Sequence, residues 1–253
     1  MMEKSGGFNA NAFKELFERE EKSFWFNARN RLIIYFAKKY FPLMEKYLEI
    51  GCGTGFVLRG IAENFPETSV TGTELFEEGL AYAKERVPSA KFMQLDAVNI
   101  RPDENYDVFG AFDVLEHIKE DEKVLSNLNA VIDNFTIQVN RGGLITVPQH
   151  MFMWSSADDE ACHVRRYSQK ELRTKLESAG FKVERMTGFV SLLFPFMMVS
   201  RLISGKQKKG GAELSLPAWM NAIFSFIMRI EFFLIRLGIN FPFGGSIIAV
   251  VTK

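Results

Sequence analysis

Gly51, Gly53 and Gly55 are spaced by single residues and close the apolar run Tyr47-Leu48-Glu49-Ile50. Glycines so placed let a chain turn sharply off a strand, let the backbone approach a ligand, and let a helix start against a sheet. Acids flank this turn. Glu49 precedes it, and Glu74 ends the β-rich run Ser69-Val70-Thr71-Gly72-Thr73. That is about 20 residues on, where a ribose-binding carboxylate is expected. A third acid, Asp96, ends Phe92-Met93-Gln94-Leu95. One glycine turn and three strand-end acids suit a ribose-bearing ligand. Candidates for proton transfer are the three histidines, His117, His150 and His163, each in a segment that follows a strand.

These residues need a frame. Phe56-Val57-Leu58 and Ile61-Ala62 follow the glycines at helical spacing, so strand, turn and helix open a doubly wound sheet. The spacing predicts helices over Phe56–Asn64 and Glu77–Arg86, stopped by Pro66 and Pro88, and strands over Ser69–Thr73 and Lys91–Gln94. Tyr106–Phe112 is a near-continuous apolar run, as a strand buried on both faces should be. A helix over about Glu120–Phe135 and a strand ending at Pro148 follow. Ser168 with Glu171 then reads as a capping box opening a helix that Gly180 closes. Phe181–Thr187 is strand six and the run from Gly245 to Thr252 the last strand. The fold class is α/β: a Rossmann-like, doubly wound, mostly parallel seven-stranded sheet with N-terminal helices and a helical insertion before the last strand. The divisions are 1–45, an N-terminal helical cap; 46–187, the ligand-binding domain; 188–244, an apolar helical insertion; and 245–253, the final strand.

Composition narrows the partners. The chain has 253 residues, with 31 Lys plus Arg against 31 Asp plus Glu. A net charge of zero gives no reason to expect nucleic acid. Two cysteines, Cys52 and Cys162, make no disulfide framework. Together with a start lacking the apolar core of a signal peptide, this leads to an expected cytoplasmic location.

Taken together, Glu49-x-Gly51-Cys52-Gly53-x-Gly55, Glu74, Leu95-Asp96-Ala97 and Asp113-Val114-Leu115-Glu116-His117 resemble the class I S-adenosylmethionine-dependent methyltransferases over about residues 46–187. The dinucleotide-binding alternative needs Gly-x-Gly-x-x-Gly, and Phe56 stands where its third glycine would be. A carboxylate at 74 also disfavours the 2′-phosphate of NADP. The resemblance implies S-adenosyl-L-methionine as cofactor and S-adenosyl-L-homocysteine as product. By the same resemblance, Glu49 and Gly51 to Gly55 wrap the methionine part, Glu74 and Leu75 hold the ribose, Asp96 and Ala97 meet the adenine, and Asp113 and Val114 close beneath the sulfonium.

The long irregular stretch from Pro148 to Tyr167 resembles a segment of methyltransferases encoded among bacterial surface-sugar genes. It reads as the acceptor-side loop. A hydroxyl acceptor needs a base, and His163 is favoured, with Arg166 and Tyr167 near enough in sequence to hold an anionic or sugar group. His117 is the second catalytic candidate and also reads as a structural residue at a helix start. Cys162-His163 beside Asp158 lacks a second pair at ligand spacing, so no metal is expected. The reading is a methyltransferase for a small or amphipathic acceptor such as a sugar or lipid-linked glycan. The alternatives are O-methylation of a quinone-like or other small metabolite, and a noncatalytic cofactor-binding protein.

Two segments stay open. Phe24-Trp25-Phe26 followed by Arg29 and Arg31 reads either as a lid or as a helix on the sheet edge with solvated arginines. The insertion, with its basic run Lys206 to Lys209, reads as a helical cap, a lid over an apolar acceptor pocket, or an interfacial patch giving peripheral contact through 189–237 at the inner membrane face. Neither apolar run has the ~20 uncharged residues of a membrane span.

Overall fold

The computed structural model describes residues 10–100, 105–132, 140–204 and 216–253. Seven strands form one sheet: β1 Lys46–Ile50, β2 Ser69–Glu74, β3 Lys91–Gln94, β4 Val108–Phe112, β5 Gly142–Pro148, β6 Lys182–Phe189 and β7 Ser246–Thr252. Their order is β3-β2-β1-β4-β5-β7-β6. The first five pair in parallel, and β7 runs antiparallel between β5 and β6. This order reverses between β1 and β4, so their carboxyl ends open a crevice at a topological switch point.

Helices cover both faces. On one, α2 (Phe24–Tyr40), α3 (Phe56–Asn64) and α9 (Ala218–Arg236) bury Leu32, Ile33, Phe36, Leu58, Ile61, Met228 and Ile235. On the other, α5 (Asp121–Val131) and α7 (Gln169–Ser178) bury Val124, Leu125, Leu128, Leu172 and Leu176. α4 (Glu77–Arg86) lies beside α1 (Ala10–Arg19) near the end of β2, a short α6 (Ser156–Glu160) follows β5, and α8 (Phe194–Ser204) opens the insertion.

Boundaries differ from expectation for physical reasons. In sequence, Phe13, Leu16, Phe17, Phe24, Leu32, Ile33 and Phe36 recur at helical spacing over Phe13–Tyr40; the structure makes this two helices, broken by a 3-10 turn at Glu20–Lys22 and by Ser23 in an extended conformation (φ −83°, ψ 129°). Within the N-terminal cap the first helix begins at Ala10; residues 1–9 lie outside the described residues. β6 runs two residues past Thr187, so the insertion begins after Phe189. Tyr106 forms a single bridge to Ile132 and β4 starts at Val108. The expected helix end over 133–135 and the basic run Lys206 to Lys209 lie outside the described residues. Ser168 caps α7 by accepting the Glu171 N–H, whereas the reciprocal capping box belongs to Ser155 and Asp158 at α6.

The face of α9 is the main surprise. In sequence, Ile223, Phe226, Ile227, Ile230, Phe233, Leu234 and Leu237 recur at helical spacing, with Phe224 and Phe232 widening the stripe. In the structure its edge of Ile223, Phe226, Ile230, Phe233 and Leu237 points outward, with Phe226 64% and Leu237 65% exposed, while Phe224, Ile227 and Phe232 pack against the core. The inward face is Phe224, Met228, Glu231 and Ile235, which packs on α2 through Phe24–Phe224 and Tyr35–Phe232 ring contacts. At 19 residues α9 is long and apolar enough, by length and composition alone, to cross a membrane, although Arg229, Glu231 and Arg236 interrupt its apolar run in the sequence. Here it is an element of the fold, and Glu231 is its anchor: the buried carboxylate accepts the Leu192 N–H at 2.8 Å. Burial lifts its pKa to about 7. A raised carboxyl pKa stabilises the fold below the ordinary carboxylate range and is lost as pH rises through about 7. Glu231→Gln should therefore flatten the fall in stability between pH 5 and 8 by on the order of 3 kcal/mol, read from denaturation midpoints across pH.

Candidate active site

The glycine turn sits at the end of β1, and all three glycines have positive φ (60°, 53° and 77°), a region costly for other residues. A Cβ on Gly51 would lie 2.6 Å from Val114 Cγ2, so glycine there lets Val114, after β4, pack onto the turn. A Cβ on Gly53 would meet nothing within 4 Å, which leaves that side of the turn open to a ligand. The Cys52 N–H donates to the Thr73 carbonyl at 2.8 Å, and the Cys52 thiol is buried and its pKa pushed up by burial.

Glu74 ties turn to strand. It accepts the N–H groups of Gly53 (3.0 Å), Leu75 (2.8 Å) and Phe76 (3.2 Å). Burial raises its pKa and these three bonds oppose the rise. A carboxylate offers about four acceptor positions, so roughly one is left for a ligand hydroxyl. Glu49 lies buried at the end of β1, takes a bond from the Tyr47 hydroxyl at 3.2 Å, and has its pKa lifted to about 8 by burial. Asp96 accepts from the Val98 N–H and the Asn99 amide as it opens the turn Ala97–Asn99.

The N-terminal segment reaches this crevice. Arg29 of α2 is buried and ion-paired with Asp113, whose backbone has φ 55°. Its guanidinium lies 4.5 Å from the centre of the Trp25 ring, a contact that adds to the ion pair. Glu20 pairs with Arg86 at 2.6 Å, and Arg86 also donates to the Thr54 carbonyl at 3.0 Å. Arg29 is thus not the solvated arginine of one sequence reading, while Arg31 is exposed.

Across the crevice, the turn Leu115–His117 meets the post-β5 loop, where the Val164 N–H donates to the Glu116 carbonyl at 2.8 Å. His117 and His163 meet edge to face with ring centres 4.7 Å apart. Burial, then the neighbouring His163, lowers the His117 pKa to about 4, which keeps it neutral. His163 places Nδ1 2.8 Å from Asp158 Oδ1 and Nε2 4.0 Å from Glu116 Oε1. Glu116 is fully buried, and both of its carboxylate oxygens lack a hydrogen-bond partner among the described residues. Burial and the charge of Asp113 push its pKa up.

Two expected acceptor-gripping residues are committed elsewhere. Arg166 is buried and forks onto Asp158 at 2.7 and 3.0 Å. Tyr167 is wholly buried and donates to Asp121 at 2.7 Å, where Lys175 and Arg165 also pair. Both therefore support the loop rather than face a ligand. His150 joins neither histidine; it stacks on Phe152 (4.9 Å) and leans toward Phe194 of α8 (5.4 Å). The sequence reading gave no site role to Glu20, Arg86, Asp158 or Glu116. The Glu116-His117 pair was its one available signal, and its meaning depends on residues 158–167 folding back over it.

Residues 48–134 match the methyltransferase domain family. Over 136 residues the chain is 26% identical to trans-aconitate 2-methyltransferase of Rhodopseudomonas palustris, covering 53% of each chain. Over 118 residues it is 29% identical to a dTDP-3-amino-3,4,6-trideoxy-alpha-D-glucopyranose N,N-dimethyltransferase of Streptomyces venezuelae, covering 46% of this chain and 47% of that one. The chain spans about half the length of the curated relatives it matches. Among solved structures, the plantazolicin methyltransferase BpumL in complex with S-adenosylhomocysteine superposes with a TM-score of 0.61 at 15% identity, over 96% of this chain and 89% of that one.

Proposed function

We propose that residues 48–134, which match the methyltransferase domain family, work as a class I S-adenosylmethionine-dependent methyltransferase domain and that the whole chain moves a methyl group from S-adenosyl-L-methionine to a small or amphipathic acceptor. The observation that carries this is the glycine turn with one open side, locked to Glu74 by the Gly53 N–H. The residues present fit the cofactor. Glu49, Gly51, Cys52, Gly53, Gly55, Asp113 and Val114 would hold its methionine part, Glu74 and Leu75 its ribose, and Asp96 and Ala97 its adenine. When bound, the cofactor supplies an electrophilic methyl group, and the protein's task is alignment and exclusion of water. Arg29 and Trp25, closed onto Asp113, act as the lid that excludes it. The acceptor side is the group of Glu116, His117 and His163, and activation of the acceptor turns on His163.

We favour a sugar or lipid-linked glycan as acceptor. The outward stripe of α9, continued by Phe196 and Val199 on α8, supports an amphipathic substrate met at a membrane surface. Arg229 and Arg236 on α9 and the sequence run Lys206 to Lys209 supply cations for anionic headgroups. In flotation assays the protein should bind vesicles containing anionic lipid. Phe226→Glu with Phe233→Glu should reduce that binding at least about tenfold, as should charge reversal of Lys206, Lys208 and Lys209. Loss of a dimer in the phenylalanine variants, without any vesicle binding by wild type, would assign the stripe to a second copy instead.

The activity is tested with methyl-labelled cofactor and extracted glycolipid, sugar-nucleotide and phenolic fractions. Label in the sugar-bearing fractions is the expected result. Label in phenols alone would move the acceptor to a quinone-like metabolite, and cofactor binding without transfer to any fraction would make the protein noncatalytic.

A further inference from the structure

We propose that Glu116, His117 and His163 bind a divalent transition-metal ion with the preferences of zinc. One ligand atom from each of the three residues lies within 4.8 Å of the others. Ligands around zinc at about 2.0–2.2 Å in a tetrahedron stand roughly 3.4 Å apart, so modest contraction completes the cluster. Two histidines and a carboxylate are a donor set suited to such an ion, with positions left open.

A second observation points the same way. Glu116 is fully buried, and neither carboxylate oxygen has a hydrogen-bond partner among the described residues. A buried carboxyl group without a partner calls for an explanation, either its own proton or a cation beside it. The orientation of His163 adds a third. Its Nδ1 sits 2.8 Å from Asp158 Oδ1, and Asp158 is itself held by the Arg166 fork. With Nδ1–H donated to that carboxylate, the lone pair is on Nε2, aimed at Glu116 Oε1 4.0 Å away. Two electron-pair-bearing atoms facing each other in a buried space share either a proton or a metal cation, and a third donor, His117, close to both suits the metal. A carboxylate behind a ligating histidine is the usual outer support of a zinc site. His163 thereby changes role from the free base expected from sequence to a ligand, and the acceptor is activated by coordination. This last point rests on the methyltransferase reading; metal binding does not.

The test is cobalt and zinc titration of chelator-stripped full-length protein without cofactor, followed by visible absorption for cobalt and elemental analysis for zinc. About one equivalent of either ion should bind, with a cobalt d–d band. Glu116→Gln and His163→Ala should each weaken binding at least about 100-fold, Asp158→Asn about 10- to 100-fold, and His150→Ala should leave it unchanged. Far-UV circular dichroism and S-adenosyl-L-homocysteine binding report separately on the fold and on the cofactor half. Protein that passes both checks and binds neither ion at 100-fold excess overturns the proposal. So does binding that survives in both Glu116→Gln and His163→Ala.

Discussion

Alanine at position 74 is expected to weaken binding of S-adenosyl-L-homocysteine about 100-fold while leaving the sheet folded. Two losses add. A hydrogen bond from a sugar hydroxyl to a charged acceptor contributes about 1.5–3 kcal/mol. The glycine turn also loses its anchor, because the Gly53, Leu75 and Phe76 N–H groups all donate to this one carboxylate. Strands β1 and β2 remain paired in register from Lys46 with Ser69 to Ile50 with Thr73, so far-UV circular dichroism should be unchanged. Glu74→Gln separates the two losses. The amide retains an acceptor oxygen for the turn, so the glutamine variant should fall between wild type and alanine in calorimetric affinity.

Asp158→Ala should have the largest effect on stability. The residue sits in the buried end of the acceptor loop, where it takes the Arg166 fork, the His163 ring and the Ser155 N–H. Removing it leaves the guanidinium of Arg166 buried without its carboxylate, a defect that costs about 3–5 kcal/mol. In a chain of this size that lowers the melting temperature by roughly 10 °C. The pH dependence has a definite sign. His163 and Arg166 hold the Asp158 pKa well below the ordinary carboxylate range despite burial. Its contribution to stability is therefore present above that range and is lost as pH falls through the lowered value. The destabilisation caused by the alanine variant should therefore shrink as pH falls below the ordinary carboxylate range. Scanning calorimetry of wild type and variant side by side at pH 7 and pH 2 checks this.

Much of the binding domain was legible because local chemistry dictates it. A glycine turn after an apolar run, with proline stops at 66 and 88, leaves little choice of element, and β1, α3, α4 and β3 fall where spacing puts them. The positions of Glu49, Glu74 and Asp96 were legible for the same reason, since each lies at or beside the end of its own strand. The pairings around the post-β5 loop were not, because they are long-range. Asp113 with Arg29 spans 84 positions and Tyr167 with Asp121 spans 46, and no periodicity carries such a contact. Arg166 and Tyr167 read as ligand-facing because polar residues in an irregular loop usually are; here they hold the loop together. Which edge of the α9 stripe faces outward was hidden for a different reason. Its outward residues are more apolar than its inward ones, and the inward face carries Glu231, which finds the Leu192 N–H only in the folded chain. A hydrophobic stripe shows that a helix has two faces but not which face meets protein.

The most direct test of the central claim is calorimetric titration of wild-type protein, verified free of co-purified nucleoside, with S-adenosyl-L-homocysteine and in parallel with NAD. The account predicts about one equivalent of S-adenosyl-L-homocysteine bound and no heat of binding from NAD. Saturable NAD binding with none for S-adenosyl-L-homocysteine would contradict it, and would turn the glycine turn and Glu74 into a dinucleotide site.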